Sequence, residues 1–172
     1  SDAQPFFQDC LFVSNRAETY GGGGLYIDQA TCTVSGCRFI LNTAPGCGGG
    51  VRCCGGSTGC SFEDCTFVSN QAGCHGGGLR SCEFVILERC VFRHNVATTE
   101  GGGLGLLSDG GIVSSCTFYA NAGTLGGGIC SFGPVTVANS IISNSSIGVG
   151  LALVSASAEV SCSNIYGNAG GD

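Results

Sequence analysis

The chain has 172 residues, with 32 Gly, 14 Cys, no Lys, Met or Trp, a net charge of −6 and only 10% charged side chains. So sparse and acidic a charge leaves no surface to neutralise nucleic-acid phosphates, and 43% hydrophobic content is the wrong composition for disorder. Gly does not recur every third residue, which excludes collagen, and the longest apolar stretch, Ile147 to Val154, is eight residues, far short of the roughly 20 that a membrane helix needs.

In chain order the first recurring element is Cys-x-Phe-x-x-Asn. It opens as Cys10, Phe12, Asn15 and returns as Cys37, Phe39, Asn42; Cys65, Phe67, Asn70; Cys90, Phe92, Asn95; and Cys116, Phe118, Asn121. Two degenerate copies follow, Ser140, Ile142, Ser145 and Ser163, Ile165, Asn168. The second element, between copies of the first, is Gly-Gly-Gly-aliphatic. It ends on Leu25, Val51, Leu79, Leu104 and Ile129, with a worn copy ending on Leu151. The third is a short β-rich piece five residues before each Phe position, carrying Val34, Phe62, Leu87, Val113, Val137 and Val160. No window has the 3.6-residue apolar period of a helix. Three strand-like pieces per repeat, each ended by Gly, Asn or Ser, predict strands joined by corners.

This pattern predicts an all-β chain: one domain, 1–172, folded as a right-handed parallel β-helix. It has about seven coils of 23–28 residues, each with three short strands stacked on their equivalents at about 4.8 Å. Alternation along a strand points both Cys and Phe of the first element inward, so Phe and Cys form adjacent core columns. Asn15, Asn42, Asn70, Asn95, Asn121 and Asn168 form a structural ladder at one corner, since Asn tolerates left-handed backbone and bonds turn peptides. The Gly runs allow positive φ and close approach of coils. A phosphate cradle is excluded by the lack of a helix and of Lys.

Stacking also nominates disulfides. Cys32 and Cys60 share a column, Cys47 and Cys74 precede consecutive Gly runs, and Cys54 and Cys82 both lie three residues after the aliphatic anchor. A coil spacing of about 4.8 Å falls within disulfide reach, so some of these pairs are expected to be bonded. Cys10 to Cys116 are expected as free, buried thiols. Cys53, Cys54, Cys60, Cys65, Cys74 and His75 invite a metal reading, but their spacing follows the coil repeat rather than a zinc knuckle, and no metal or cofactor is expected.

For catalysis, the best cluster is Glu63-Asp64 with Glu88-Arg89 one coil on; its plain reading is a solvated corner with an ion pair. Arg52 and Arg80 stack with Tyr26 on an outer face that could touch an acidic sugar or be plain surface. His75 and His94 have no visible triad partner. The position three after each anchor reads Asp28, Cys54, Cys82, Leu107, Phe132 and Val154. By parity it faces outward, so Leu107, Phe132 and Val154 form an expected exposed partner patch.

The Phe-x-x-Asn and Gly-Gly-Gly-aliphatic segments resemble the repeats of chlamydial polymorphic outer-membrane proteins and, more widely, of secreted bacterial right-handed β-helix repeat proteins. The resemblance implies export, surface display and often adhesion. The expected function is therefore a non-enzymatic extracellular surface or structural module acting in adhesion or self-association, with a surface glycan or protein as partner. Two alternatives stand beside it: an end-to-end stacking filament subunit, and a carbohydrate-active fragment using the Glu63/Asp64/Glu88/Arg89 corner. With no initiator Met, signal peptide or capping helix, the chain is expected to be mature or excised, with ends that either lost neighbouring segments or stack.

Overall fold

The computed structural model describes residues 4–55 and 59–172. Among them are 23 short strands and no helix. Every pairing is parallel, between strands one coil apart, so the chain winds as a β-solenoid of about six turns. One sheet, here the valine sheet, stacks Phe6–Gln8, Cys32–Ser35, Cys60–Glu63, Val85–Glu88, Gly111–Ser114, Val135–Ala138 and Ala158–Ser161. The phenylalanine sheet stacks Leu11–Val13, Arg38–Ile40, Thr66–Val68, Val91–Arg93, Thr117–Tyr119, Ile141–Ser143 and Asn164–Tyr166. The leucine sheet has six strands, Leu25–Asp28, Val51–Cys54, Leu79–Ser81, Leu104–Leu106, Ile129–Ser131 and Leu151–Leu153. A fourth, short sheet of Thr43–Ala44, Gln71–Ala72 and Val96–Ala97 was not expected. Two-residue strands carry too few positions for an alternation signal.

The registers place like on like. Phe12, Phe39, Phe67, Phe92 and Phe118 stack with ring centroids 4.7, 5.0, 4.3 and 4.6 Å apart and planes within 11° of parallel. Ile142 continues the column on Phe118 and Ile165 on Ile142. Val34, Phe62, Leu87, Val113 and Val137 form the second column, and Leu79, Leu104 and Ile129 lie in the third; all are buried. The column ends are open: Phe7, Phe12, Leu151 and Ile165 are only partly covered, and Leu153 and Val160 are exposed, because the outermost coils have a neighbour on one side only.

The corners work differently from expectation. The ladder asparagines are not left-handed; the residue before each one is. Ser14, Leu41, Ser69, His94, Ala120, Asn144 and Gly167 all have φ between 52° and 65°. Asp9, Gly36, Asp64, Arg89, Ser115, Asn139 and Cys162, at φ 48–63°, do the same before the Cys column. One left-handed residue between extended neighbours turns the chain and leaves its own side chain outside, so the next side chain is aimed inward. Glycine serves elsewhere. Gly76 has φ +66°, and a Cβ on Gly77 would lie 2.4 Å from the Gly102 carbonyl oxygen and 2.5 Å from that of Val96, all backbone.

In the middle coils the inward Asn meets its full hydrogen-bonding capacity. Asn70 Oδ1 accepts from the Asn42 backbone N–H at 2.9 Å and from Asn42 Nδ2 at 3.0 Å. Asn70 Nδ2 donates to Asn95 Oδ1 and to the Phe39 carbonyl, both at 2.9 Å. The same links run from Asn15 to Asn42 and from Asn95 to Asn121. At the next step Ser145 replaces Asn; its backbone N–H still donates to Asn168 Oδ1 at 2.9 Å, but its buried hydroxyl has no partner.

Asn95→Ala removes the acceptor for two Asn70 donors and the donor to the Phe67 carbonyl. Unpaired buried groups cost about 1–3 kcal/mol each, so urea unfolding should show a loss of roughly 3–6 kcal/mol. Ser145→Asn completes the file and should raise stability by about 1 kcal/mol; a destabilised variant would contradict the ladder's role.

Candidate functional site

The carboxylate corner forms as the sequence places it. Glu63 and Glu88 are register partners on adjacent strands of the valine sheet, and two like charges so placed repel. Arg89 resolves this. Its Nε donates to Asp64 Oδ1 at 2.9 Å, one terminal nitrogen pairs with Glu63 and the other with Glu88. The Asp64 hydrogen bond, with the nearby carboxylates, pushes the Arg89 pKa further up. General acid–base chemistry needs one carboxyl held protonated in an apolar pocket. Here all the carboxylates lie on one guanidinium at a convex, solvent-exposed corner, which is the arrangement of a surface ion cluster.

The second candidate face changes more. Tyr26, Arg52, Arg80, Gly105, Cys130 and Ala152 are stacked by register on the outer side of the leucine sheet. Arg52 lies 5.4 Å from the Tyr26 ring centroid and donates to the Tyr20 carbonyl. Arg80, expected at the surface, is 5% exposed, and Cys130 is wholly buried. The chain doubles back before each leucine-sheet strand. In the middle runs the starting glycine therefore lies against the outer residue four positions later, with a Cβ on Gly76 reaching 2.8 Å from Arg80 Cα and one on Gly126 3.0 Å from Cys130 Cα. Arg80 is thus a buried cation. Its Nη1 has no hydrogen-bond partner, and burial lowers its pKa.

Around this fold-over the structure gathers residues from three coils. Donor atoms of Cys47, Cys74 and His75, all half-buried, lie within 4.8 Å of one another. His75 Nδ1 is 3.0 Å from Glu100 Oε2 and 2.9 Å from Thr99 Oγ1, and Thr99 Oγ1 is 2.8 Å from the Cys74 carbonyl. Burial lowers the His75 pKa, against the raising effect of Glu100. Among the described residues this is the group of donors that converges closely enough to hold a metal ion. Cys53, Cys54, Cys60 and Cys65 do not join it: Cys53 faces inward from its strand, while Cys54 faces outward.

Of the nominated cysteine pairs, Cys54–Cys82 is a disulfide with Cα atoms 4.9 Å apart. Cys32 and Cys60 are register partners but free; Cys47 and Cys74 are also free, and the Cys74 N–H bonds the carbonyl of Gly46 rather than that of Cys47. Burial pushes the Cys32 thiol up to about 12. The Cys10 to Cys116 column is free and does more than fill space. Each sulfur reaches the carbonyl two residues back, as Cys65 does to Glu63 at 3.3 Å. Cys37 and Cys116 also accept the backbone N–H of Cys10 and Cys90 at 3.3 and 3.4 Å. Ser140 and Ser163 repeat both bonds with hydroxyls. The serines at cysteine positions were the sequence signal for this second ladder.

Leu107, Phe132 and Val154 are half-buried rather than an exposed stripe. They lie just past the strand ends at Leu106, Ser131 and Leu153, so strand parity no longer applies. Exposed apolar side chains are spread over several faces: Leu11, Val13, Tyr119, Ile141 and Tyr166 on the phenylalanine sheet, with Leu41 at its corner, and Phe6, Ile86 and Ile112 on the valine sheet. His94 sits at the surface with its ring edge-on to Tyr119 at 5.8 Å. No family model, curated protein or solved structure matches the chain.

Alkylating the unfolded, unreduced protein should label twelve of its fourteen cysteines, the exceptions being Cys54 and Cys82; intact mass reads this directly. Replacing both by Ala should cost roughly 3–4 kcal/mol, the loop-closure contribution of a cross-link of this span.

Proposed function

We propose that the protein is a non-enzymatic extracellular β-helix module, acting in adhesion or self-association through the outer face of its phenylalanine sheet. One observation carries this reading. The outward positions of that sheet hold Leu11, Val13, Tyr119, Ile141 and Tyr166, all exposed, and their charged members are Arg38 and Arg93 alone. A molecule of net charge −6 therefore keeps one broad face free of carboxylates. Exposed apolar side chains on a face without carboxylates let an acidic molecule meet a partner without like-charge repulsion.

An extracellular setting is supported by the Cys54–Cys82 disulfide, since such bonds persist in oxidising compartments. The resemblance of the repeats to secreted polymorphic surface proteins points the same way. The carbohydrate-active reading has less support: its carboxylates are tied to Arg89 in the open.

Sedimentation velocity on the protein and on a Val68→Glu/Tyr119→Glu variant tests the face. Both side chains point away from the core, so circular dichroism and unfolding midpoint should be unchanged. Wild-type protein should associate as its concentration rises, and the variant should stay monomeric. A wild type that stays monomeric and does not adsorb to apolar surfaces would reject the proposal. Rods that lengthen in electron micrographs of both proteins would move the contact to the ends.

A further inference from the structure

We propose that Cys47, Cys74 and His75 form a zinc-binding site of the two-cysteine, one-histidine type, with a fourth coordination position left open. A tetrahedral Zn²⁺ with bonds of about 2.0–2.3 Å places its ligands roughly 3.3–3.8 Å from one another. The three donors already lie within 4.8 Å, so small side-chain rotations suffice. They converge because the coil repeat stacks the residue before one Gly run on its equivalent before the next: Cys74 N–H bonds the Gly46 carbonyl, and Gly48 N–H bonds that of His75.

The hydrogen bonds around His75 prepare it as a ligand. The single hydroxyl proton of Thr99 is committed to the Cys74 carbonyl at 2.8 Å, so Thr99 Oγ1 can only accept from the ring. The Glu100 carboxylate also only accepts. Nδ1, at 2.9 and 3.0 Å from these two oxygens, therefore carries the proton, and the lone pair of the neutral ring sits on Nε2. A carboxylate on one ring nitrogen with a metal on the other is the recurrent way in which a ligating histidine is oriented.

Charge is the second, independent observation. Arg80 is buried with Nη1 unpartnered, and its electrostatic neighbours include Cys47 and Glu100. A buried guanidinium with an unpaired nitrogen is stabilised by anions close to it. Two thiolates and the Glu100 carboxylate carry three negative charges, Arg80 returns one positive, and a divalent cation brings the cluster to neutrality. Sulfur and imidazole ligands in this geometry favour zinc among the available divalent ions.

Co²⁺ titrated into the full chain, held reduced under argon, is the probe. One equivalent should bind, with intense visible bands and near-ultraviolet sulfur-to-cobalt absorption, and Zn²⁺ should displace it. Cys74→Ser and His75→Ala should abolish the bands; Cys162→Ser, at an exposed cysteine away from the site, should keep them. Glu100→Gln should weaken binding about 10–100-fold. Should a variant unfold, protection in the wild type decides: zinc should shield Cys47 and Cys74 from alkylation and leave Cys162 reactive. Bands that survive His75→Ala, equal labelling with and without zinc, or a Cys47–Cys74 disulfide in the isolated protein would overturn the site.

Discussion

The structure depends on one constraint, that each coil must sit on the next without a shift in register. The asparagine file enforces it. An inward amide has two donors and two lone pairs, and in the middle coils all four are used: to the Phe carbonyl of the preceding coil, and up and down to the next amides and backbone. A slip of one residue would turn the amide outward and leave buried peptide groups unpaired. With the register held, Phe must stack on Phe, and the apolar columns bury area without a helix. Because coils contact only their neighbours, stability is roughly a sum of such interfaces. The step through Ser145, with its orphaned hydroxyl, is a weak link in that sum.

The core was legible because it is periodic and because its residues differ in kind from their surroundings. Phe12 to Ile165, Val34 to Val160 and the five glycine runs announce both the repeat and the inward positions. The corners were not legible. Leu41, Ala120 and Arg89 adopt left-handed backbone, a conformation costing such residues about 1–2 kcal/mol that no intrinsic preference would assign them. The hydrogen bonds on either side impose it. The expectation placed that strain on the asparagines, whose chemistry tolerates it, whereas the asparagines are needed in extended backbone so that their amides point in.

The residues of the candidate site were legible singly and not as a set. Cys47 and Cys74 could be paired by counting coils, and Cys74-His75 was visible as a possible ligand pair. Joining them to Thr99, Glu100 and Arg80 needed the fold-over of the glycine-run corner, which brings the residues before a run against the strand after it. Parity arguments hold along a strand and fail past its ends and where the chain doubles back. For that reason Arg80 was expected outside and is buried, and Leu107, Phe132 and Val154 were expected exposed and are half-covered.

A solenoid of this kind offers chemistry few places to form. Its outer columns are open ladders, where ionisable groups meet solvent and counter-charge, as Glu63, Asp64 and Glu88 meet Arg89. Enclosure needs a fold-over, and a fold-over needs backbone without side chains in its way. Gly105 shows how this is arranged. It stands above Arg80 in the outer column, and a Cβ there would sit 3.1 Å from Arg80 Nη1 and from the Gly76 backbone nitrogen. The missing side chain is the space that the guanidinium fills. The glycine that interrupts the outer column is thus part of the same device as the buried arginine, the two thiols and the histidine held by Glu100.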